Sequence, residues 1–403
     1  MSELNDLIAQ LCPDGVPYKP MWALTTWDKK FNGVDKKKQP AINRHHYYLA
    51  KELEPLIVPD GDIKVLTTSP SDLYTTAELA KDNIKDGEIV AIPWGGNAIV
   101  QYYNGKYITS DNRIAIVNDE EQLNCKFLYY VLKNREKELA KYYRGAGIKH
   151  PNMFKVLHME IPVPPLPVQS EVVRILDAFT ELEAELEAEL AGRKEQYEYY
   201  RDHLLDKKNL ERMDGKPVEM KKLGDLADIG TGSSNTQDQE PDGIYPFYVR
   251  SPEVKQSSRF EFDETAVVTA GDGDVGKIFH FVEGKYALHQ RAYRVKPTDS
   301  SLDTKFLFYY MKANFRAYVE RKACSATVKS LRKPMFQKFE IPVPSLATQE
   351  RVVDILDRFD ALTTSLTDGI PAEIAMRREQ YEYYRSRLLD FPRLPEDSNS
   401  DGE

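Results

Sequence analysis

The chain has 403 residues, 30% of them charged and 41% hydrophobic, with a formal net charge of −9. This length predicts two or more domains, and the composition is that of an ordinary globular protein. No apolar run approaches the ~20 residues of a membrane span, the first ten residues lack the features of a signal peptide, and Cys12, Cys125 and Cys324 are too few and too scattered for a disulfide framework or a zinc site; a protein of the reducing cytoplasm is expected.

In chain order, Cys12 to Val16 and Tyr18 to Pro20 open a first unit that runs to about residue 160. Trp27 to Phe31 and Lys36, Lys37 and Lys38 make a basic, aromatic-containing loop, followed by Arg44, His45 and His46. Strand-like runs at 63–67, 88–92, 98–103 and 114–117 alternate with turn signals at Trp94 to Asn97 and Asn104 to Gly105. The spacing of Phe127, Tyr130, Val131 and Leu139 predicts a helix over 125–143, and Arg144 to Lys149 reads as a flexible basic loop.

From Glu160 the chain becomes Pro-rich (Ile161, Pro162, Val163, Pro164, Pro165), which ends the preceding unit. Val172, Ile175, Phe179, Leu182 and Leu186 then recur at 3, 4, 3, 4, the spacing of a coiled-coil seam. An extra four-residue step to Leu190 precedes a resumed seam of Arg193, Tyr197, Tyr200 and Leu204. That stutter coincides with the tandem tetrapeptide ELEA-ELEA at 181–188. A helix over 168–205 is roughly 55 Å long and needs a partner of similar length.

A second unit from about Lys207 repeats the order: a loop at Gly230 to Asn235, strand-like runs at 266–269, 278–282 and 292–295, and Lys305 to Tyr310 answering Lys126 to Tyr130. Thr327 to Lys329 falls opposite Gly147 to Lys149. From Glu340 the Pro-rich run and long helical pattern return. Aligned on Glu160 and Glu340, 13 of the first 21 positions are identical, which means internal duplication. Gly369, Ile370 and Pro371 interrupt the second copy, predicting a tight break and a new helix near Pro371. The two copies are natural partners for each other within one chain; a homodimeric coiled coil is the alternative.

The net charge conceals a strongly uneven distribution. Residues 177–190 hold six acids and no base, whereas 126–155 hold eight Lys and Arg against two Glu, and 305–338 hold nine against one. The basic blocks occupy equivalent places in the duplicated chain. Gly271 to Lys277 has the glycine and lysine spacing of a phosphate-binding loop, but Ile278 stands where a Ser or Thr should hold magnesium, so a turn between strands is expected. The seven His show no pair at helical metal-ligand spacing, there is no nucleophile elbow, and no glycine-rich turn opens a dinucleotide-binding unit; neither a catalytic residue nor a metal ligand is assigned. Tyr197, Tyr200 and Arg201, with Tyr381, Tyr384 and Arg385 in the second copy, suit helix packing, a protein-partner surface, or base stacking.

The duplicated I-P-V-P run with its following Q, V-V and I-L-D, the QYEYYR endings, the break at Gly369 to Ile374 and the opening at Cys12 to Val16 together resemble the specificity subunit of type I restriction-modification enzymes, over the whole chain. The resemblance implies a mixed α/β (α+β) fold: two similar target recognition domains separated by two long antiparallel coiled-coil helical regions, with an internal pseudo-twofold repeat. Expected boundaries are 1–160 and 208–340 for the recognition domains, 161–207 and 341–392 for the helical regions, and 393–403 for an acidic disordered tail. It further implies recognition of a bipartite double-stranded DNA target, docking of two methyltransferase subunits and, through them, restriction subunits, and no catalysis by this chain. S-adenosylmethionine, ATP and magnesium belong to the partners in that picture, in a bacterial or archaeal cytoplasm. For DNA contacts the candidates are Lys36, Lys37, Lys38, Arg44, Arg144 and Lys149 in the first unit, and Lys277, Arg321, Lys329, Arg332 and Lys333 in the second. The alternatives are a coiled-coil interaction scaffold without a DNA role, and an NTPase built on Gly271 to Lys277.

Overall fold

The computed structural model describes residues 2–322, 330–365 and 367–395. They divide into two compact units, Met1–Ala184 with Ala375–Glu403, and Glu185–Ile374. Each therefore combines a globular part with pieces of both copies of the duplicated helical sequence.

The first unit contains β1 (Tyr18–Pro20), β2 (Thr25–Trp27), β3 (Ile63–Leu66), β4 (Tyr74–Thr75), β5 (Lys85–Pro93), β6 (Gln101–Thr109), β7 (Asn112–Val117), β8 (Tyr143–Arg144), β9 (His150–Pro151) and β10 (Glu160–Pro162). Six of them make one sheet in the order β2-β7-β5-β6-β3-β4. The second unit contains β11 (Glu219–Lys222), β12 (Ala227–Thr231), β13 (Tyr245–Tyr248), β14 (Lys255–Ser257), β15 (Phe262–Ala270), β16 (Phe279–Leu288), β17 (Ala292–Pro297) and β18 (Glu340–Val343). Its sheet runs β12-β17-β15-β16-β13-β14, the same order strand for strand. Each sheet has a single parallel pair at the equivalent place, β3 with β6 and β13 with β16. In each unit a short antiparallel ladder, β1 with β10 or β11 with β18, ties the start of the globular part to the Pro-rich run at its end.

Most strand runs read from the sequence are present, and longer than expected. Asn104 and Gly105 are the exception: they lie inside β6, not in a turn. Gly105 faces Gly87 across the ladder, and both have positive φ, 131° and 144°. The chain there uses glycine to kink a long strand pair, and the pairing with β5 decides the conformation. The helix expected over 125–143 is two helices, Cys125–Asn134 and Glu136–Ala140, broken at Arg135, and Tyr143 already belongs to β8. The loop after it closes the β8–β9 hairpin.

The spacer helix runs unbroken over Leu166–Leu205, through both ELEA units. It starts directly after Pro164 and Pro165, with Pro167 in its first turn, where a missing N–H does no harm. The second copy forms two helices, Leu346–Thr364 and Ile370–Leu388, with the expected break at Gly369. A Cβ on Gly369 would lie 2.6 Å from the Ala361 carbonyl oxygen and 2.8 Å from that of Leu362, so only glycine allows the chain to pass this close to the preceding helix.

Each unit has one main apolar core. In the first, Phe127, Leu128 and Val131 pack with Ile161, Val168, Val172 and Leu176 of the spacer region, and with Leu388 and Phe391 of the second copy. In the second, Phe306, Leu307 and Phe315 pack with Tyr197 and Leu205 of the spacer helix and with Ile341, Val352 and Leu356. Globular part and helices thus share a single interior in each unit.

Candidate nucleic-acid interface

The duplicated helical sequence makes the same three contacts in each unit, two of them to the globular part. Gln169 is fully buried; its Oε1 accepts from the Asn124 backbone N–H (2.8 Å) and its Nε2 donates to the carbonyls of Gln122 (2.9 Å) and Pro164 (2.7 Å). Gln349, also fully buried, accepts from Asp303 N–H (2.8 Å) and donates to the carbonyls of Ser301 (2.7 Å) and Pro344 (2.9 Å). Asp177 accepts from Lys126 Nζ (2.8 Å) and Tyr130 Oη (2.5 Å); Asp357 accepts from Lys305 Nζ (2.8 Å) and Tyr309 Oη (2.6 Å). Burial, then the neighbouring carboxylate, push both tyrosine hydroxyls up, so they remain donors. The helices they hold are capped alike: Asn124 accepts from Phe127 N–H, and Asp303 from Phe306 N–H.

The third contact joins the two copies. In the first unit Phe179 stacks on Tyr384 (ring centroids 5.5 Å, 27° between planes) and lies 6.4 Å from Tyr381. In the second Phe359 stacks on Tyr200 (5.6 Å, 27°) and lies 6.3 Å from Tyr197. Glu183 pairs with Arg378 at 2.5 Å while Phe179 meets Tyr384, so the helices run antiparallel in the first unit. In the second, Asp214 accepts from Thr348 Oγ1 at 2.8 Å while Tyr200 meets Phe359, giving the same sense. Tyr197, Tyr200, Tyr381 and Tyr384 thus make ring contacts between the two copies. Arg201 and Arg385 lie over Tyr197 and Tyr381, at 5.9 and 5.0 Å. Tyr199 and Tyr383 are the most exposed of the tyrosines on these helices, at 65% and 55%, and Tyr200 is 39% exposed.

So held, the sheets present loops at one end. In the first unit β2 leads into the segment 28–47, β5 into Trp94, and β7 starts after Asp111. Trp94 N–H donates to the Asp111 carbonyl (2.9 Å), Gly96 N–H to that of Lys149 (2.9 Å), and the His150 ring lies 2.7 Å from the Trp94 carbonyl. Arg144 and Lys149 are exposed on the hairpin that closes this end, and Arg44 is exposed on the 28–47 segment. Beneath them Arg113, 1% exposed, pairs with Asp28 (3.0 Å) and Asp111 and lies between the rings of Tyr47 (4.7 Å) and Trp94 (4.9 Å), with Lys29 Nζ on Trp94 at 4.7 Å. This cation–aromatic stack was not legible from the sequence; Trp94 and Arg113 are 19 residues apart and meet only through the β5–β7 ladder.

In the second unit the turn 271–278 joins β15 and β16, as expected, and Lys277 pairs with Asp274 at 2.9 Å on the surface. The Leu331 N–H donates to the Gly271 carbonyl (2.6 Å) and the Gly271 N–H to that of Arg291 (2.8 Å), which brings Arg332 and Lys333 beside the turn. Two further arginines, missed in the sequence, meet there: Arg250 and Arg291 both pair with Asp272, at 3.0 and 3.1 Å. Burial pushes the Asp272 carboxyl up, but the hydrogen bonds from the two guanidiniums outweigh it and hold it below the ordinary carboxylate value.

Not every basic candidate joins these ends. Lys36 and Lys37 are exposed on a short turn capped by Asp35. Lys38 instead lies against His158 (3.0 Å) and Trp22 (5.2 Å). Arg321 lines a separate cleft with Tyr310, Tyr318 and Lys338. Lys329 lies outside the described residues, as do Cys324 and the end of the expected acidic tail. Cys12 and Cys125 are buried free thiols. Among the described residues, no group of three or more His, Cys, Asp or Glu is placed to hold a metal, and no helix is long and apolar enough to cross a membrane.

Two stretches of the chain, 45–191 and 215–376, match the model of the type I restriction modification DNA specificity domain. The chain belongs to the type I restriction-modification specificity family. A putative type I restriction enzyme specificity subunit of Haemophilus influenzae is 32% identical over 76% of this chain and 83% of its own. The EcoR124I/EcoR124II specificity subunit of Escherichia coli is also 32% identical, over 70% of this chain and 74% of its own. In fold, the solved type I restriction-modification system S subunit from M. genitalium covers 93% of this chain and 96% of its own, with a TM-score of 0.62 at 15% identity. Specificity subunits are the non-catalytic members of their systems. The duplicated motif that carried the resemblance is, in this specificity subunit, the set of clamps itself: Gln169 and Gln349, Asp177 and Asp357, Phe179 and Phe359.

Proposed function

We propose that this specificity subunit reads a bipartite duplex target, one half-site with each globular part, and docks two methyltransferase subunits that in turn recruit restriction subunits. The observation that carries this is the pairing of identical clamps with unlike loop ends: what holds the two globular parts is the same, and what they present differs. Residues 1–160 and 208–340 are the two recognition domains, and 161–207 with 341–392 the helical spacer. Lys36, Lys37, Arg44, Arg144, Lys149, Lys277, Arg332 and Lys333 contact phosphates, which position the duplex without specifying sequence. The Lys277–Asp274 pair is solvent-exposed and so weak that a phosphate can replace it. Tyr199 and Tyr383, one on each copy, are aromatic anchors for methyltransferase subunits. S-adenosylmethionine, ATP and magnesium act on those partners, in the cytoplasm.

The test is to map modified adenines in host DNA with and without this chain, and again after deleting residues 181–184. Removing one ELEA unit shortens the helix by ~6 Å. The expected outcome is an altered number of unspecified base pairs between two unchanged half-sites; half-sites that change sequence instead would overturn the assignment. Duplex binding by the chain with its methyltransferase should weaken steeply with salt. Binding to a protein partner with no affinity for DNA would favour the scaffold reading.

A further inference from the structure

Arg250 follows β13 and Arg291 precedes β17, yet both converge on one carboxylate. Arg250 Nη1 donates to Asp272 Oδ1 at 3.0 Å and Arg291 Nη1 to Oδ2 at 3.1 Å. The Asp272 side chain is 18% exposed; those of the arginines are 42% and 63% exposed. Asp272 is fixed from both sides, since Gly271 is bonded to the Arg291 and Leu331 backbones and Asp272 itself bridges to Ser330. The Arg291 N–H donates to His289 Nδ1 at 3.0 Å, which sets the backbone that carries it.

Each guanidinium has five N–H donors in a planar fork. Among the described residues Asp272 is the hydrogen-bond partner of both through one Nη1 each, which leaves donors of each fork unused on a partly exposed side chain. The carboxylate has already removed part of the rotamer freedom that binding would otherwise have to remove. What fits such a fork is two acceptors side by side in one plane. On duplex DNA these are N7 and O6 of guanine in the major groove, or two oxygens of a phosphate. The carboxylate decides between them. A second anion beside Asp272 is repelled, whereas a neutral base edge is not, and a carboxylate can also accept from the N4 amino group of the paired cytosine. Of the surrounding cations, Lys277 pairs singly with the exposed Asp274, which bridges no second cation and yields easily to a phosphate, and Arg332 and Lys333 beside it suit the backbone.

We propose that Arg250 and Arg291, braced by Asp272, read a G·C pair in the half-site of the second unit. This rests on the DNA-reading function proposed above. It assigns specificity to two residues outside the lysine-rich blocks.

The experiment uses the full chain in complex with its methyltransferase and DNA carrying the mapped target, with each position of both half-sites varied in turn. Arg291→Ala and Arg250→Ala are expected to lower discrimination at a G·C pair of the second half-site by about tenfold to a hundredfold. The first half-site and the salt slope should stay unchanged. Arg291→Lys keeps the charge and loses the planar fork, so it should lose the same discrimination in a chain whose fold the substitution does not threaten. Asp272→Asn should relax the same position by less. A uniform loss on all sequences, with a salt slope reduced by about one, would make these phosphate contacts and overturn the proposal. So would unchanged discrimination, or a second half-site without a G·C pair. A wild-type complex that shows no sequence preference would instead sink the DNA-reading function itself.

Discussion

At the same end of two sheets with the same strand order, the two units present different chemistry. In the first, a buried arginine lies between Tyr47 and Trp94, and the surface above it is aromatic and basic. In the second, Tyr293 stands at the ladder position of Arg113, Gly271 follows β15 where Trp94 follows β5, and a carboxylate gathers two exposed arginines. The clamps behind these ends differ hardly at all: Gln169 makes its three bonds at 2.8, 2.9 and 2.7 Å, and Gln349 makes the equivalent three at 2.8, 2.7 and 2.9 Å. The lesson is one of separated constraints. The contacts that orient a globular part on the helices involve other residues than the loop end, and it is the loop end that differs between the units.

The comparison can be broken most sharply at Arg113. Its replacement by Ala leaves Asp28 buried without its cation, so urea unfolding of the first unit should lose about 3–5 kcal/mol, with the second unit unaffected. A loss below ~1 kcal/mol would show that the stack is not what holds that end. Next come the clamps. Gln169→Leu and Gln349→Leu each orphan one buried carbonyl, that of Pro164 or Pro344, at about 1–3 kcal/mol, and the two losses should match; one silent variant would end the claim that both units are held alike. Phe179→Ala and Phe359→Ala, at half-buried positions, should each cost about 2 kcal/mol, again equally, in thermal unfolding. The smallest effect is on pH. Burial holds the imidazoles of His45 and His280, one in each unit, below the ordinary value of 6.5. A proton then binds the unfolded chain more readily, so the stability these groups give is present above 6.5 and lost as pH falls through their folded values. His45, held between the Asn43 carbonyl and Tyr107 Oη, both at 2.7 Å, gives the cleaner test. His45→Asn should flatten the acid limb of the first unit; an unchanged limb would remove His45 as its cause.

Much of the scaffold was legible because its signals are local or repeated. The seam of Val172, Phe179, Leu186 and Tyr197, the break at Gly369 and the turn after Ala270 each depend on a few neighbouring residues. The reading ends were largely hidden. Asn104 and Gly105 carry a turn signature, yet pairing with β5 holds them in a strand. Of the basic candidates, Arg144 and Lys149 come together on one hairpin, whereas Lys38 packs on Trp22 and Arg321 lines another cleft. Arg250 and Arg291 were missed because isolated arginines 41 positions apart carry no pattern; only a ladder and a turn bring them to one carboxylate.

By itself the sequence determined that a duplicated helix organises the chain, where that helix breaks, and that two related globular parts flank it, since duplication and period survive in one dimension. Tertiary structure decided what the duplicated residues are for and which cations share a surface. A glutamine that satisfies three backbone groups, or a carboxylate that fixes two forks, depends on distances across strands and helices far apart in the chain, and those distances exist only once the core has closed.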